Sequence, residues 1–511
     1  MTRARPPHRQ RRRFRLAVDL GGSLALVGRM LMYLSASVLF PTAFAIGYGE
    51  PFWPFLAAGA IGLAAGLVLQ RLGDPTTIGA REGYLVVSLM WVAAAALGAL
   101  PYLLSGEAQL DRPVDALFEA MSGFTTTGAS TLTDIEALNH SLLMWRQFTQ
   151  WLGGMGIVVL ALAVLPRLRV GGRQLLENEM PGPEIDQLSE RIRSTAQRLW
   201  LLYVGITAAM VATLVVVWLA GLDDAMSPYE ALAHALSTLP TGGFSTQGRS
   251  IEGFSATSQW VIAFFMLVAG ANFALWYRTL VRRDWLAAPR DEELRVYLIV
   301  IGLTSALVAV ELWAEGLAGA GEASFRHAVF QVTSLMTTTG FASVDFNTWT
   351  PLAAMVLVFV MLIGGCAGST GGSIKVVRHL LLGKVLRREL RQTVHPEEIV
   401  PVKLNKRVVD ERTLRAIVAF IMLYLGAFVL GTGIIAIEAA HRGPELSVLD
   451  AIAASATTLG NVGPAFGVAG PMGSFESFGD FSTVTMIVLM WLGRLELIPI
   501  VVLFTRRYWR A

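Results

Sequence analysis

The sequence predicts an all-α polytopic membrane protein with four pseudo-repeated helix–pore loop–helix units around one pore, plus two N-terminal transmembrane helices. The first observation is composition: 54% of the 511 residues are hydrophobic and 15% are charged, whereas soluble domains carry about 25% charged residues. The second is a series of apolar runs close to the roughly 20 residues that cross a bilayer. The third is a glycine-centred motif that occurs four times, about 100 to 120 residues apart.

The chain begins with a basic tail and two spans. Residues 1–23 include seven arginines, and the positive-inside rule predicts that this tail is cytoplasmic. The two N-terminal transmembrane helices occupy residues 24–80, near 24–47 and 52–69. A twin-arginine export signal at RRRFR is the weaker interpretation, because the apolar stretch is too long for a cleaved signal and further spans follow.

Four units of similar organisation fill the rest of the chain: a long apolar helix, a half-length helix, a glycine turn and a second long helix. They occupy residues 81–170, 171–283 with a cytoplasmic loop, 284–390, and 391–511 with a second cytoplasmic loop. Their long helices are predicted at 83–103 and 142–165, 199–220 and 260–280, 296–312 and 352–386, and 414–438 and 484–504. With the two N-terminal spans, these helices give ten membrane crossings.

The half-length helices have recognisable start signals. Their predicted first residues are Asp111, Ser227, Ser324 and Ser447. Pro228 directly follows its cap and Asp450 completes a capping box, both of which favour a helix start. A dozen helical residues span about 18 Å, roughly half a bilayer. Each half-helix is therefore expected to point its partially negative carboxyl end at the pore axis, where it favours a cation.

The four loops after these helices read GFTTTGAS, TLPTGGFST, LMTTTGFAS and TTLGNVGPAFG. Irregular backbone at membrane depth is tolerated where it lines a cavity or is buried in protein, and rings of backbone carbonyls replace the hydration shell of potassium. The sequence therefore predicts a potassium selectivity filter that is only pseudo-fourfold, since the copies differ. Its lining residues are Thr125, Thr126, Thr127 and Gly128; Pro240, Thr241, Gly242 and Gly243; Thr337, Thr338, Thr339 and Gly340; and Gly460, Asn461, Val462 and Gly463.

The second long helix of unit 3 contains IGGCAGSTGGSIK, whose five glycines cannot continue a stable helix. One interpretation is a packing kink with small residues at a helix crossing. The other is a flexible intramembrane gating loop at 364–373 that plugs the pore below the filter. The loop residues are Gly364, Gly365, Cys366, Ala367, Gly368, Ser369, Thr370, Gly371, Gly372 and Ser373.

Arg494 lies inside the last apolar run. An uncompensated charge there costs about 2.5 kcal/mol or more on insertion scales, so the side chain is expected to face a polar interior. One interpretation places Arg494 in the pore beneath the filter, as a positive barrier to cations. The alternative is a structural contact with Glu496 or with a loop carbonyl.

The distribution of basic residues predicts the orientation. Of the 41 Lys and Arg residues, 34 fall in segments on the side of the two termini, and only Arg112, Arg249, Arg326 and Arg442 fall on the side of the glycine loops. Both termini are therefore expected in the cytoplasm, with the filter opening outward. The seven histidines show no zinc spacing, and no catalytic or nucleic-acid-binding pattern is present, so we expect neither an enzyme nor a nucleic-acid partner.

The repeated loops, GGCAGSTGGSIKVVRH and LGRLEL together resemble the TrkH branch of the Trk/Ktr/HKT potassium transporter superfamily. The resemblance covers nearly the whole chain. It implies potassium uptake across the bacterial inner membrane by a homodimer with one pore per subunit. It also implies a cytosolic TrkA-like regulatory subunit, which binds the nucleotides and gates the pore, so that this chain handles only the transported potassium ion.

Within that resemblance, the four glycines match filter glycines, 364–373 matches the gating loop and Arg494 matches a pore arginine. Glycine rather than serine in the first loop, at Gly128, is the pattern associated with potassium over sodium. The alternative from another class is a secondary symporter that couples potassium to protons or sodium. It needs an ionisable residue buried near the filter, and the sequence offers no clear one beyond Arg494 and Glu496.

Overall fold

A computed structural model describes residues 18–74, 79–163, 185–319, 321–442 and 446–510. Most of the basic tail and much of the first cytoplasmic loop, including the end of the helix expected at 142–165, lie outside these ranges. The described residues are mostly helical, with one two-stranded hairpin formed by β1 (Lys403–Leu404) and β2 (Arg407–Val408). The all-α prediction is confirmed.

The first two spans are packed through glycine. The first comprises α1 (Leu20–Ser35) and α2 (Leu39–Tyr48), and the second is α3 (Trp53–Gln70). A methyl group at Gly28 would lie 2.6 Å from the carbonyl oxygen of Gly66, and one at Gly66 would lie 2.7 Å from that of Gly28. Small residues let the helix backbones approach closely, which is the usual basis of helix contact in membranes.

The remaining helices follow in the expected order. Unit 1 contains α4 (Ala80–Ser105), α5 (Pro113–Phe124) and α6 (His140–Ala163). Unit 2 contains α7 (Ile185–Leu219), α8 (Pro228–Thr238), α9 (Ala256–Ala269) and α10 (Phe273–Trp276). Unit 3 contains α11 (Ala287–Arg290), α12 (Glu292–Glu315), α13 (Glu322–Met336), α14 (Pro351–Leu362) and α15 (Val376–Val394). Unit 4 contains α16 (Glu411–Arg442), α17 (Val448–Gly460), α18 (Asp480–Arg494), α19 (Ile498–Leu503) and α20 (Arg506–Trp509).

The half-length helices are α5, α8, α13 and α17, with 12, 11, 15 and 13 residues. Two predicted caps are correct: the Ser227 side chain accepts from the N–H of Glu230, and Ser447 forms a capping box with Asp450. The other two are wrong. The cap of α5 is Arg112, because Pro113 fixes the first helical position, and the cap of α13 is Gly321.

Three of the second long helices are interrupted, whereas the sequence predicted an interruption only in unit 3. In unit 2 the chain bends by 97° between α9 and the helical segment Phe273–Val281, where the Asn272 side chain caps a new helix. In unit 4, Glu496 and Leu497 both adopt φ of 57°, and α19 then begins at Ile498 with Pro499 in its first turn. The continuous helices expected at 260–280 and 484–504 are therefore wrong, because a capping asparagine and a proline each begin a new helix.

The outer surface is apolar. Six described helices are long and apolar enough to cross a membrane, or seven if the bent pair in unit 2 is one span. Large side chains such as Leu303, Val310, Val429 and Leu430 are more than 60% exposed on these helices. Exposed apolar surface of this extent marks contact with lipid, so the chain is a multi-pass membrane protein. The count of ten crossings stays a prediction.

Candidate functional site

The four glycine loops meet in a closed cycle. A methyl group at Gly128 would lie 2.2 Å from the carbonyl oxygen of Gly242, one at Gly243 1.9 Å from that of Thr339, one at Gly340 2.1 Å from that of Val462, and one at Gly463 2.6 Å from that of Thr127. Each glycine thus touches the loop of the next unit, and the fourth touches the first. The four loops therefore surround one common axis.

The backbone conformation of the loops also repeats. The four glycines have φ of 82°, 81°, 85° and 104°, a region that favours glycine. Two positions upstream, four residues adopt φ between 53° and 60°: Thr126, Thr241, Thr338 and Asn461. The left-handed conformation is costly for a β-branched threonine. Its recurrence in three loops means that the surrounding structure imposes one shape on them.

Equivalent hydrogen bonds close the turn at the end of each half-helix. The residue before each glycine donates its N–H to the carbonyl five positions upstream: Thr127 to Ser122 at 2.8 Å, Gly242 to Ser237 at 2.8 Å, Thr339 to Ser334 at 2.8 Å, and Val462 to Thr457 at 3.0 Å. Four helices thus end with the same wide turn and deliver the following carbonyl groups to the same place.

Backbone carbonyl oxygens are the candidate cation ligands of this ring. The hydroxyls of Thr125 and Thr127 lie 2.8 Å apart, and those of Thr337 and Thr339 lie 2.7 Å apart. Thr127 also accepts from the side-chain amide of Asn461 at 2.9 Å, so these hydroxyls are engaged within the ring. Among the described residues, no group of three or more His, Cys, Asp or Glu side chains could hold a metal ion. Neutral, oriented carbonyl dipoles suit a weakly bound monovalent cation.

The carbonyl oxygens of the four loops are not all equally available to bind a cation. The Gln150 amide donates to the carbonyl of Gly242 at 2.8 Å, and a methyl group at Gly372 would lie 2.3 Å from the carbonyl oxygen of Gly460. Gly460 is also the last residue of α17 rather than a loop residue. The ring is therefore fourfold only in outline, in agreement with the differences between the four sequences.

The intramembrane loop, residues 364–373, lies against this ring. The N–H of Gly372 donates to the hydroxyl of Thr338 at 2.6 Å, and the hydroxyl of Thr370 donates to the carbonyl of Leu239 at 2.9 Å. The loop is also joined to the break in unit 2, because Cys366 N–H donates to Gly270 at 2.8 Å. The segment is thus a packed loop between two helices rather than a kink within one.

Arg494 is buried between the loop and unit 1. It is 2% exposed, and its guanidinium donates to the carbonyl of Thr370 at 2.7 Å and to that of Gly153 at 3.2 Å. Its Nε has no hydrogen-bond partner among the described residues. Glu496 pairs with Arg378. The contacts of Arg494 are therefore carbonyls, and the pairing with Glu496 that the sequence left open is not the one observed.

Comparison with known proteins identifies the family. The family profile TrkH, described as a cation transport protein, matches residues 55–510. The chain is 37% identical over 490 residues to the Trk system potassium uptake protein TrkH of Escherichia coli K12, covering 95% of this chain and 98% of that protein. It is 34% identical over 500 residues to TrkH of Vibrio parahaemolyticus, covering 96% and 99%. This chain belongs to the TrkH family.

A solved structure agrees with this assignment. The crystal structure of the potassium transporter TrkH from Vibrio parahaemolyticus matches with a TM-score of 0.85 and 32% identity, over 96% of this chain and all of that one. The TrkH resemblance and the membrane fold inferred from the sequence are confirmed. The roles assigned to the loop residues, to 364–373 and to Arg494 stay predictions.

The structure of this TrkH-family chain also brings together residues that sequence reasoning missed. Glu119 of α5 and Arg146 of α6 form a buried ion pair next to the ring, with 2.7 Å between Oε1 and Nε. Glu293, 4% exposed, accepts the N–H of Ala367 at 2.6 Å and that of Val377 at 3.1 Å. A charge inside an apolar run was the available signal for Arg146, as it was for Arg494.

Proposed function

We propose that this TrkH-family protein takes up potassium across the bacterial inner membrane, through a selectivity filter lined by the carbonyls of its four loops. The observation that carries the proposal is the closed cycle of four loops with one backbone shape. Relatives that share more than a third of the sequence are named potassium uptake proteins. Four half-helices end at the ring, and their partially negative carboxyl ends favour a cation there.

The transport is channel-like, with potassium as cargo moving inward down its electrochemical gradient. The membrane potential supplies about 2.3 kcal/mol per charge for each 100 mV. The intramembrane loop and Arg494 form the gate. Two observations support the gate: the loop packs directly on the ring, and Arg494 carries a buried positive charge that contacts the loop.

The assembly around this chain follows from the family resemblance. Both termini are cytoplasmic and the glycine loops face outward, which the distribution of 41 basic residues supports. The protein acts as a homodimer, and a cytosolic TrkA-like subunit that binds nucleotides controls the gate. The six sequence segments proposed above, with boundaries at 23, 80, 170, 283 and 390, are the units of this organisation.

A secondary symporter is the second candidate. Symport requires ionisable side chains buried near the filter, and the sequence offered no clear ones. In the structure, three such side chains are buried close to the ring and the loop: Glu119, Arg146 and Glu293. Each of these carboxylates has a donor partner, which favours a structural role over proton transfer. A proton flux that depends on potassium in sealed vesicles is the result that would favour symport.

The proposal is tested by flux through the purified protein in proteoliposomes. We expect uptake of potassium or rubidium that exceeds sodium uptake at equal gradients. Equal rates for potassium and sodium would contradict the selectivity filter. Absence of any flux, with and without the cytosolic partner, would contradict uptake altogether.

Gly243→Ala tests whether the ring carries that flux. The added methyl group would lie 1.9 Å from the carbonyl oxygen of Thr339 and the backbone has φ of 81°, so the ring must deform. We expect at least about a tenfold loss of potassium flux or of selectivity, equivalent to about 1.4 kcal/mol. Gly302→Ala is the matched control, because that glycine of α12 has open space around it. Equal behaviour of the two variants would argue against the ring as the conduction site.

A further inference from the structure

A buried ion pair lies directly beside two of the four loops. Glu119 and Arg146 have side chains that are 0% and 1% exposed. Glu119 comes nine residues before Gly128 on the half-helix of unit 1, and Arg146 is on the following long helix α6. Removing one partner of such a pair leaves an uncompensated buried charge. Loss of either partner alone is therefore costly.

Arg146 joins the loop of unit 1 to the loop of unit 2. One terminal nitrogen donates to the carbonyl of Ser245 at 3.1 Å, and the other lies 3.4 Å from the hydroxyl of Ser130. The guanidinium carbon also lies 4.1 Å from the ring centroid of Phe244. Ser130 and Ser245 each follow their loop glycine by two residues. A single side chain thus fixes the spacing of two adjacent loops just outside the glycines.

A polar contact to a serine after the glycine recurs in three units. Nine residues before the loop glycine stand Glu119, His234, Gln331 and Ala454. The first three contact Ser130 at 3.0 Å, Ser245 at 2.9 Å and Ser343 at 3.3 Å, respectively. The fourth, alanine, has no polar side chain. The position behind the loop is therefore a recurrent support, and only in unit 1 is it charged and coupled to the neighbouring unit.

We propose that Glu119 and Arg146 are positioning residues that determine selectivity, because they hold the loops of units 1 and 2 at the spacing that suits potassium. The inference rests on the proposed filter function. A carbonyl ring discriminates between cations through its size and the number of carbonyls that remain in place. Loss of the pair frees the Ser245 carbonyl and releases the two loops from each other, so the ring accepts the smaller sodium ion more readily.

The competing explanation is electrostatic attraction of the cation by Glu119. The two explanations predict different signs. If Glu119 attracts cations, Glu119→Gln raises the KM for potassium and Arg146→Gln lowers it. If the pair positions the loops, both substitutions raise sodium flux relative to potassium flux, whichever charge is removed.

The test measures sodium and potassium flux from one preparation of each variant in proteoliposomes. The ratio is independent of how much protein folds, so a purely structural loss does not move it. For Arg146→Gln and for Glu119→Gln we expect the sodium to potassium ratio to rise about tenfold, which corresponds to about 1.4 kcal/mol. The double variant E119Q/R146Q leaves no buried unpaired charge, so it can be measured even if the single variants misfold. It should show the same loss of discrimination.

Arg249→Gln is the control, because Arg249 follows Gly243 by only six residues but its side chain is 65% exposed and paired with Glu252. Its ratio should match that of the wild type. A wild-type ratio in the single and double variants would overturn the inference, as would KM shifts of opposite sign at constant ratio. Absence of selective potassium flux in the wild type would instead contradict the proposed function itself.

Discussion

At the scale of single residues, Arg494 shows how a buried charge is accommodated next to the proposed cation path. Its two terminal nitrogens donate to carbonyl oxygens, one in the intramembrane loop and one in α6, while its Nε has no partner among the described residues. Carbonyls neutralise an arginine only partly, so a net positive field is expected along the proposed cation path. Two unit charges 4 Å apart interact by about 4 kcal/mol at an effective dielectric constant near 20, which is enough to limit conduction.

Arg494→Ala is therefore expected to raise potassium flux through the protein alone by about tenfold, the change that about 1.4 kcal/mol produces. Rubidium uptake into proteoliposomes, without any cytosolic partner, measures it. Arg29→Ala is the control, since Arg29 is an exposed arginine of α1. Unchanged or reduced flux in Arg494→Ala would show that the arginine only holds the loop in place.

At this scale, the sequence predicted features formed by neighbouring residues but not contacts between residues far apart in the chain. Gly128, Gly243, Gly340 and Gly463 were found because each copy of the loop is local and repeats. The pair of Glu119 and Arg146 is 27 residues apart, and Arg146 reaches a carbonyl 99 residues away. Contacts of this kind depend on how helices pack, which periodicity and motif spacing do not encode.

At the scale of elements, one side chain ties the intramembrane loop to the helix that follows it. Glu293, near the start of α12, accepts from Ala367 inside the loop and from Val377 at the start of α15. Movement of the loop away from the ring must break the first of these bonds and leave the carboxylate less well paired. The sequence predicted the loop from its five glycines but not this anchor, because a glutamate in the first turn of a helix is ordinarily explained by the helix dipole.

Glu293→Ala should raise the basal potassium flux of the protein alone, because two buried N–H groups lose their acceptor, at about 1 to 3 kcal/mol each. The expected increase is about tenfold, with an unchanged sodium to potassium ratio, since the ring itself is untouched. Glu315→Ala, at the exposed far end of the same helix, is the matched control. A changed ratio or a reduced flux would mean that Glu293 supports the ring rather than the closed position of the loop.

At the scale of the whole molecule, the half-helices and their loops form a buried polar centre inside an apolar exterior. The loop threonines are buried, whereas leucine and valine side chains on α7, α12 and α16 face outward. The fold class was predictable because composition and the length of apolar runs report directly on a lipid environment. The breaks in units 2 and 4 were not, because Asn272 and Pro499 act as helix starts only in the context of their neighbours.

The orientation of the whole molecule is testable with its single cysteine. Cys366 is the only cysteine in the chain and is buried, so Cys366→Ala provides a background without thiols. On this background, Arg249→Cys lies on the proposed outer side and Ile399→Cys, at a residue that is 92% exposed, lies on the proposed cytoplasmic side. In intact spheroplasts a membrane-impermeant maleimide should label Arg249→Cys, and Ile399→Cys only after permeabilisation. The reverse pattern would invert the orientation drawn from the basic residues, and labelling of both from one side would contradict the proposed number of crossings between them.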